Sequence, residues 1–332
     1  MVRNGGKFPL SVLTGFLGSG KTTLISRLLR DPGFGRTAVI VNEFGDIALD
    51  HTLIASSDDS VLTLNTGCLC CAVQTDLART LMDLLGRREA GLADYDRILI
   101  ETSGLSDPVP MLQALMTDGG LSAMHQIACV LTVVDTVHGE QTLHDHHEAR
   151  NQVALADRLL ISKTDLGVPS ERLVAALNVL NRSAPRMAAL EADASTLFSV
   201  PDIRSIADRI ADLPLRRGHH GIDTFTIPRE RPLPALALTM LLQALAEHCG
   251  ERLLRLKGLV AIAEMPGRPA VIHGVRHVVS PPEFLDRWPT ADETTRIVFI
   301  TKNVPRYFVS RLLDAIEEEV RDANAGVLPA FN

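Results

Sequence analysis

The chain has 332 residues, enough for about two domains, and 46% of them are hydrophobic against 22% charged, a balance that excludes intrinsic disorder. Its 33 Lys and Arg against 40 Asp and Glu leave a net charge of −7, and only 4% of residues are aromatic, so nothing points to nucleic acid. The longest apolar stretch, residues 233–246, is broken by Pro, Thr and Gln and falls short of the ~20 residues a spanning helix needs, so no membrane partner is expected.

In chain order, short apolar runs rich in β-branched residues alternate with helical patterns. Strands are predicted over 10–14, 37–41, 61–64, 97–100, 127–134 and 158–161. Between the first two, 22–30 reads as a helix with Leu24, Ile25, Leu28 and Leu29 on one face, stopped by Asp31-Pro32-Gly33. Near-continuously apolar strands separated by helices imply an α/β fold whose mostly parallel sheet is covered on both faces. A polar stretch with Pro214, Gly218, His219 and His220 reads as a linker over 213–221, dividing the chain into domains 1–212 and 222–332. Beyond it the pattern predicts a strand (224–227), a helix (236–248), three strands (253–263, 270–279, 295–300) and a last helix (306–319), a smaller α+β domain.

The run Gly15-Phe16-Leu17-Gly18-Ser19-Gly20-Lys21-Thr22 fits G-x-x-x-x-G-K-[ST], and it lies between a predicted strand and a predicted helix. Glycines let backbone N–H groups turn inward around phosphate oxygens, and a helix N-terminus adds a favourable field. Lys21 would reach the β- and γ-phosphates, and the Thr22 hydroxyl would hold Mg²⁺. That context outweighs a chance glycine turn and predicts a P-loop nucleotide site. Glu101, at the end of an apolar strand, can hold Mg²⁺ through water, and Gly104 can offer its N–H to a γ-phosphate. In Ser162-Lys163-Thr164-Asp165 the carboxylate of Asp165 could accept both donors of the guanine edge while the Lys163 stem packs along the ring. Alone, that tetrapeptide is as readily a solvated turn.

Cys68, Cys70 and Cys71 follow the strand 61–64 and the turn Asn65-Thr66-Gly67. Three thiolates in four residues can converge on a soft or borderline ion such as Zn²⁺, Cu(I) or Co²⁺ and leave one tetrahedral position for exchange. Burial as small hydrophobes, the usual fate of lone cysteines such as Cys129 and Cys249, suits the cluster poorly. Five cysteines with three so close do not make a disulfide framework, which predicts a cytoplasmic protein. His144, His146 and His147, beside Asp145 and Glu148, read as a solvated helix start before they read as an auxiliary metal site. His219-His220 give only thin support for metal capture.

In this order, GFLGSGKTT, NEFG (from Asn42), GCLCC (from Gly67), ETSG (from Glu101) and SKTD (from Ser162) resemble the CobW-like family of metallochaperone P-loop GTPases, relatives of the nickel-insertion GTPases of hydrogenase and urease. Arg255-Leu256-Lys257-Gly258 and the strand from Arg296 resemble that family's C-terminal domain. The resemblance implies GTP hydrolysis to GDP and phosphate, with zinc or cobalt delivered to a metal-requiring client protein; a homodimer is the other assembly considered. It implies phosphate binding by Gly18, Ser19, Gly20, Lys21, Thr22 and Thr23, with Thr22 on Mg²⁺, and guanine reading by Lys163 and Asp165. The metal falls to Cys68, Cys70 and Cys71. Lys21 and Glu101 are the expected catalytic groups, and residues 42–50 and 101–107 the segments that sense the γ-phosphate, with Asp46 and Asp50 as further candidate ligands. The family's Asn in the base-reading motif is Ser162 here, which predicts weaker nucleotide affinity and a guanine preference resting on Asp165. Slow hydrolysis without a client is expected. The competing readings are a metal-responsive GTP-binding protein that transfers nothing, and a P-loop kinase, against which Asp165 argues.

Overall fold

The computed structural model describes residues 7–42, 61–64, 71–199, 221–289 and 291–324, and the chain divides into two compact units, Met1–Pro201 and Asp202–Asn332. In the first unit, β1 (Phe8–Gly15), β2 (Thr37–Asn42), β3 (Val61–Leu64), β4 (Arg97–Glu101), β5 (His125–Asp135), β6 (Arg158–Ser162) and β7 (Arg186–Ala188) form one seven-stranded sheet in the order β3-β2-β4-β1-β5-β6-β7. Every pairing is parallel. The helices are α1 (Lys21–Leu28), α2 (Cys71–Glu89), α3 (Val109–Thr117), α4 (Gly119–Met124), α5 (Gly139–Asp145), α6 (His147–Leu155), α7 (Glu171–Leu180) and α8 (Ala194–Phe198).

The reason for the parallel sheet is visible in β1, where Leu10, Val12 and Leu13 and the intervening Ser11 are all buried, as strands covered on both faces must be. On one face Leu24, Ile25 and Leu28 of α1 pack with Leu13, Val39, Leu99 and Leu131, each such side chain contributing roughly 1.5–3 kcal/mol by leaving water. Helix α1 ends at Leu28 because Asp31 turns the chain, its Oδ1 accepting from Gly33 N at 2.8 Å, one residue past a proline. The strand order fixes the site. From the central β1 the sheet grows toward β4, β2 and β3 on one side and toward β5, β6 and β7 on the other, so a crevice opens at the carboxyl end of β1.

The second unit runs β8 (Ile222–Arg229), α9 (Ala235–Cys249), β9 (Leu253–Val260), β10 (Ala270–Val275), β11 (Val278–Val279), β12 (Glu283–Phe284), β13 (Thr295–Lys302) and α10 (Arg306–Asn324). Its sheet is antiparallel, in the order β11-β10-β9-β13-β8, with β12 on β10. Leu238, Leu241 and Leu245 of α9 and Val309, Leu313 and Ile316 of α10 form its core with Phe225, Leu256, Ile272 and Phe299 of the sheet. The strand predicted over 270–279 is two strands. A reversal at Arg276, whose φ is 53°, pairs Val275 with Val278 as a hairpin. No Gly or Asn marks that reversal, so the sequence reads straight through it. The strand predicted to 263 also stops at Val260, and its extension survives as a single bridge between Leu233 and Ile262. Among the described residues no helix is long and apolar enough to cross a membrane.

Candidate nucleotide-binding site

The loop between β1 and α1 is the expected P-loop. Gly18 and Gly20 have φ of 68° and 97°, and Gly20 caps α1, so the loop closes by conformations only glycine adopts readily. Lys21, the first residue of α1, is buried and folds back across the loop: its Nζ donates to Gly15 O at 2.8 Å and Phe16 O at 3.3 Å. Ser19 N donates to Phe16 O at 3.2 Å, which closes the tip.

Glu101 ends β4 beside β1. It is buried, and its Oε1 accepts from Thr22 Oγ1 at 3.3 Å, which brings together the hydroxyl and the carboxylate that the sequence separates by 79 positions. Both are hard oxygen donors of the kind Mg²⁺ takes, so the pair fits the ion. The following segment is bound to the P-loop. Thr102 N donates to Leu13 O at 2.9 Å, and Thr102 Oγ1 donates to Thr14 Oγ1 at 2.8 Å. Gly104 lies against Leu17, where a Cβ would stand 2.6 Å from Leu17 N and 2.8 Å from its Cα, so only glycine fits. Asp107 Oδ1 accepts from Val109 N and starts α3, while Gln152 Nε2 donates to Gly104 O and Ser106 O at 3.1 and 3.0 Å.

The base-reading motif follows β6 on the other flank. Ser162 is buried, and its hydroxyl donates to Ser19 O at 2.5 Å, so the shorter side chain still ties this strand to the P-loop. Lys163 turns through φ 56°, and its Nζ lies 3.5 Å from Asp135 Oδ2. Asp135, the last residue of β5, is held in turn by Val137 N and His138 N on its Oδ1. Asp165 is exposed. Thr23, next to Thr22 in α1, is exposed too. Thus hydrogen bonds and close contacts join the P-loop and the start of α1 to Glu101, Gly104 and Ser162, and Lys163 and Asp165 follow Ser162 in the chain.

Sequence reasoning missed Thr14, Thr102, Asp135 and Gln152. Asp135 carries the same signature as Glu101, an apolar strand closing on a carboxylate, and could have been found that way. Nothing in the pattern of α6 marks Gln152. The histidines are exposed at a helix junction: His144 lies in the last turn of α5, while His146 and His147 start α6. His144 Nδ1 lies 2.8 Å from Asp145 Oδ1, and that contact with the amide of Gln141 holds the Asp145 carboxyl below the usual carboxylate range. His146 stacks on Phe16 of the P-loop, ring centroids 4.3 Å apart. Among the described residues no three His, Cys, Asp or Glu side chains are gathered to hold a metal. Cys68, Cys70, Asp46, Asp50, His219 and His220 lie outside the described residues, and of Cys71 the structure describes only the backbone, as the first residue of α2.

The sequence of residues 9–190 matches the nucleotide-binding domain of the CobW/HypB/UreG family, and residues 222–317 match the cobalamin synthesis protein CobW C-terminal domain. The zinc chaperone YjiA of Escherichia coli is 30% identical over 324 residues, 96% of this chain and 98% of its own. The zinc chaperone CobW of Pseudomonas aeruginosa is 31% identical, covering 92% of this chain and 91% of its own. The crystal structure of zinc-bound YjiA GTPase from E. coli superposes with a TM-score of 0.65 at 25% identity, over 97% of this chain and 99% of that one.

Proposed function

This chain belongs to the CobW/HypB/UreG family and is a GTPase, and on that premise we propose that it is a cytoplasmic metallochaperone that carries zinc on Cys68, Cys70 and Cys71 and releases it to a client protein when GTP is hydrolysed. The observation that supports the reading is the continuity between the Thr22–Glu101 pair and α2, the helix that begins at the end of the cysteine motif. Residues 101–107 run from the Thr22–Glu101 pair into α3, α3 packs against α2, and α2 opens at Cys71. A change in the γ-phosphate contacts of that segment has a packed route through α3 to α2, the helix that follows the cysteine motif in the chain. Three thiolates suit zinc.

In this reading the backbone of Gly18 to Thr23 and the Lys21 ammonium bind the phosphates, and Thr22 with Glu101 holds Mg²⁺, which neutralises charge on the β- and γ-oxygens. Asp165 takes the two donors of guanine, and the Asp135 carboxylate steers Lys163 toward the base plane. Hydrolysis is slow until a client completes the site. Cobalt(II) is the second ion the donor set would take. The test is a zinc and cobalt titration against a competing chelator dye on the protein and on a Cys68, Cys70, Cys71→Ser variant. The reading expects one tightly held zinc per chain, lost in the variant while GTP hydrolysis persists. Metal held equally by the serine variant would refute it. Ligation needs deprotonated thiols, so affinity should rise with pH.

A further inference from the structure

Gln152 stands apart from the nucleotide machinery by sequence yet sits at its centre. It lies in the middle of α6, wholly buried. Its backbone carbonyl accepts from Thr132 Oγ1 of β5 at 2.7 Å, which fixes it to the sheet. Its side-chain amide donates to two successive bends of another segment, Gly104 O and Ser106 O. Its Oε1 has no hydrogen-bond partner among the described residues, and the residue borders a cavity of about 20 Å³ that buried Ser19, likewise with a partnerless hydroxyl, also borders. The orientation of the amide is therefore set by its donor: the reverse arrangement would press Oε1 against two carbonyls. A leucine or methionine would fill this volume with no polar atom to desolvate, so the amide is retained at a cost, for the two carbonyls it grips.

The helix that carries it is anchored at both ends. At its start His146 stacks on Phe16 of the P-loop. At its end the buried Asn181 amide donates to Val153 O at 2.8 Å and Ala156 O at 2.8 Å, immediately before β6 and the base-reading motif. Residues 101–107 are by contrast a short connection between β4 and α3 whose carbonyls find a side-chain donor in Gln152. Thr102 ties the start of that segment to β1, and the Gln152 amide ties residues 104–106 to a fixed body comprising P-loop, β5, α6 and β6.

We propose that Gln152 is a positioning residue that latches residues 104–106 to that body, and that its grip sets how strongly nucleotide state and zinc affinity are coupled. This inference rests on the metallochaperone reading. Loss of the latch leaves each ligand its own contacts, since Gln152 is neither a predicted phosphate group nor a thiol, but it uncouples one from the other.

The experiment measures zinc affinity, by competition with a chelator dye, in Mg²⁺ with GDP and in Mg²⁺ with a slowly hydrolysed GTP analogue. It uses the full chain and two near-isosteric variants: Gln152→Met, which has no donor, and Gln152→Glu, which has lost the two-donor amide and offers at most one O–H. Wild type is expected to bind zinc about tenfold more tightly in the analogue state, within the usual range for linked sites. In both variants that ratio falls to about one, with GDP affinity and GDP-state zinc affinity within about threefold of wild type, given that a coupling constant is separable from either affinity. A merely structural role would lower both affinities and leave the ratio alone, which overturns the proposal, as does a variant that keeps the full ratio. A wild-type ratio of one is a separate result, which removes the coupled reading and the latch with it. If Gln152→Met does not fold, Gln152→Glu decides.

Discussion

Replacing Gly104 with alanine isolates the close approach on which the crevice depends. The backbone of Gly104 lies outside the left-handed region, so alanine carries no conformational strain there, and the effect is one of space alone. The new Cβ would stand 2.6 Å from Leu17 N, 2.8 Å from Leu17 Cα and 2.8 Å from Leu17 Cδ2. The exposed leucine side chain can rotate away, but the two backbone atoms belong to a loop closed by Lys21 and Ser19. Restoring ~3.5 Å contacts requires the loops to part by about 1 Å. Overpacking of this kind costs about 1–3 kcal/mol. A displacement of about 1 Å between groups that hold a reacting phosphate costs on the order of 10²-fold in rate. Gly104→Ala should therefore lower single-turnover GTP hydrolysis by about that factor and lower the melting temperature of the first unit. The control is Gly91→Ala: Gly91 has a φ of 71° and open space around it, so alanine should cost about 1 kcal/mol and leave hydrolysis intact. Hydrolysis within threefold of wild type and an unchanged melting temperature in Gly104→Ala would refute the reasoning.

Ser162→Ala removes the donor to Ser19 O and should weaken GTP by roughly fivefold, about one hydrogen bond, measured by calorimetry; an unchanged affinity would mean the contact with the P-loop is incidental. In the second unit Glu317 is buried between Arg229, whose Nε lies 2.8 Å away, and Arg321. Glu317→Ala should destabilise that unit by about 1–2 kcal/mol, seen as a lowered thermal transition, because it leaves the Nε of a largely buried Arg229 without its acceptor while Asp314 keeps the rest of the guanidinium paired. Asp193 accepts from Thr196 N and from the Ser195 and Thr196 hydroxyls, which lowers its carboxyl from 3.8 to about 2. A carboxylate lowered on folding stabilises above its unfolded value, so this contribution is full above pH ~4 and is lost as pH falls toward ~2. Asp193→Asn should flatten the acid limb of the stability profile there, and an acid limb identical to wild type would contradict it.

The fold was legible because its signals are local and redundant. Strands that are apolar after their first residue, such as 97–100 and 158–161, announce a covered parallel sheet, and a glycine-rich loop between strand and helix announces the site. The hairpin at Arg276 was not legible, since a non-glycine residue takes the left-handed turn and packing of β10 against β9 rewards it. In the site, the strand-end motifs that surround the phosphates appear in the sequence as short signatures. Gln152 does not, because its side-chain partners are two carbonyls 48 and 46 positions away, which carry no side-chain identity to read. Ser162 shows the opposite lesson. The sequence predicts weaker nucleotide affinity from the loss of the amide, and what the motif does not display is that the strand sits close enough to the P-loop for the hydroxyl to reach Ser19 O.

The measurement that tests the account most directly is zinc release during a single turnover. Protein carrying zinc and Mg²⁺–GTP is mixed with a fluorescent zinc chelator, and metal release and phosphate release are followed together. A GTPase that uses hydrolysis to open its metal site should give up zinc at the rate of phosphate formation, and should hold it when a slowly hydrolysed GTP analogue replaces GTP. Zinc that leaves at one rate with GTP, with the analogue and with no nucleotide would contradict the central claim and leave a GTPase whose metal is structural.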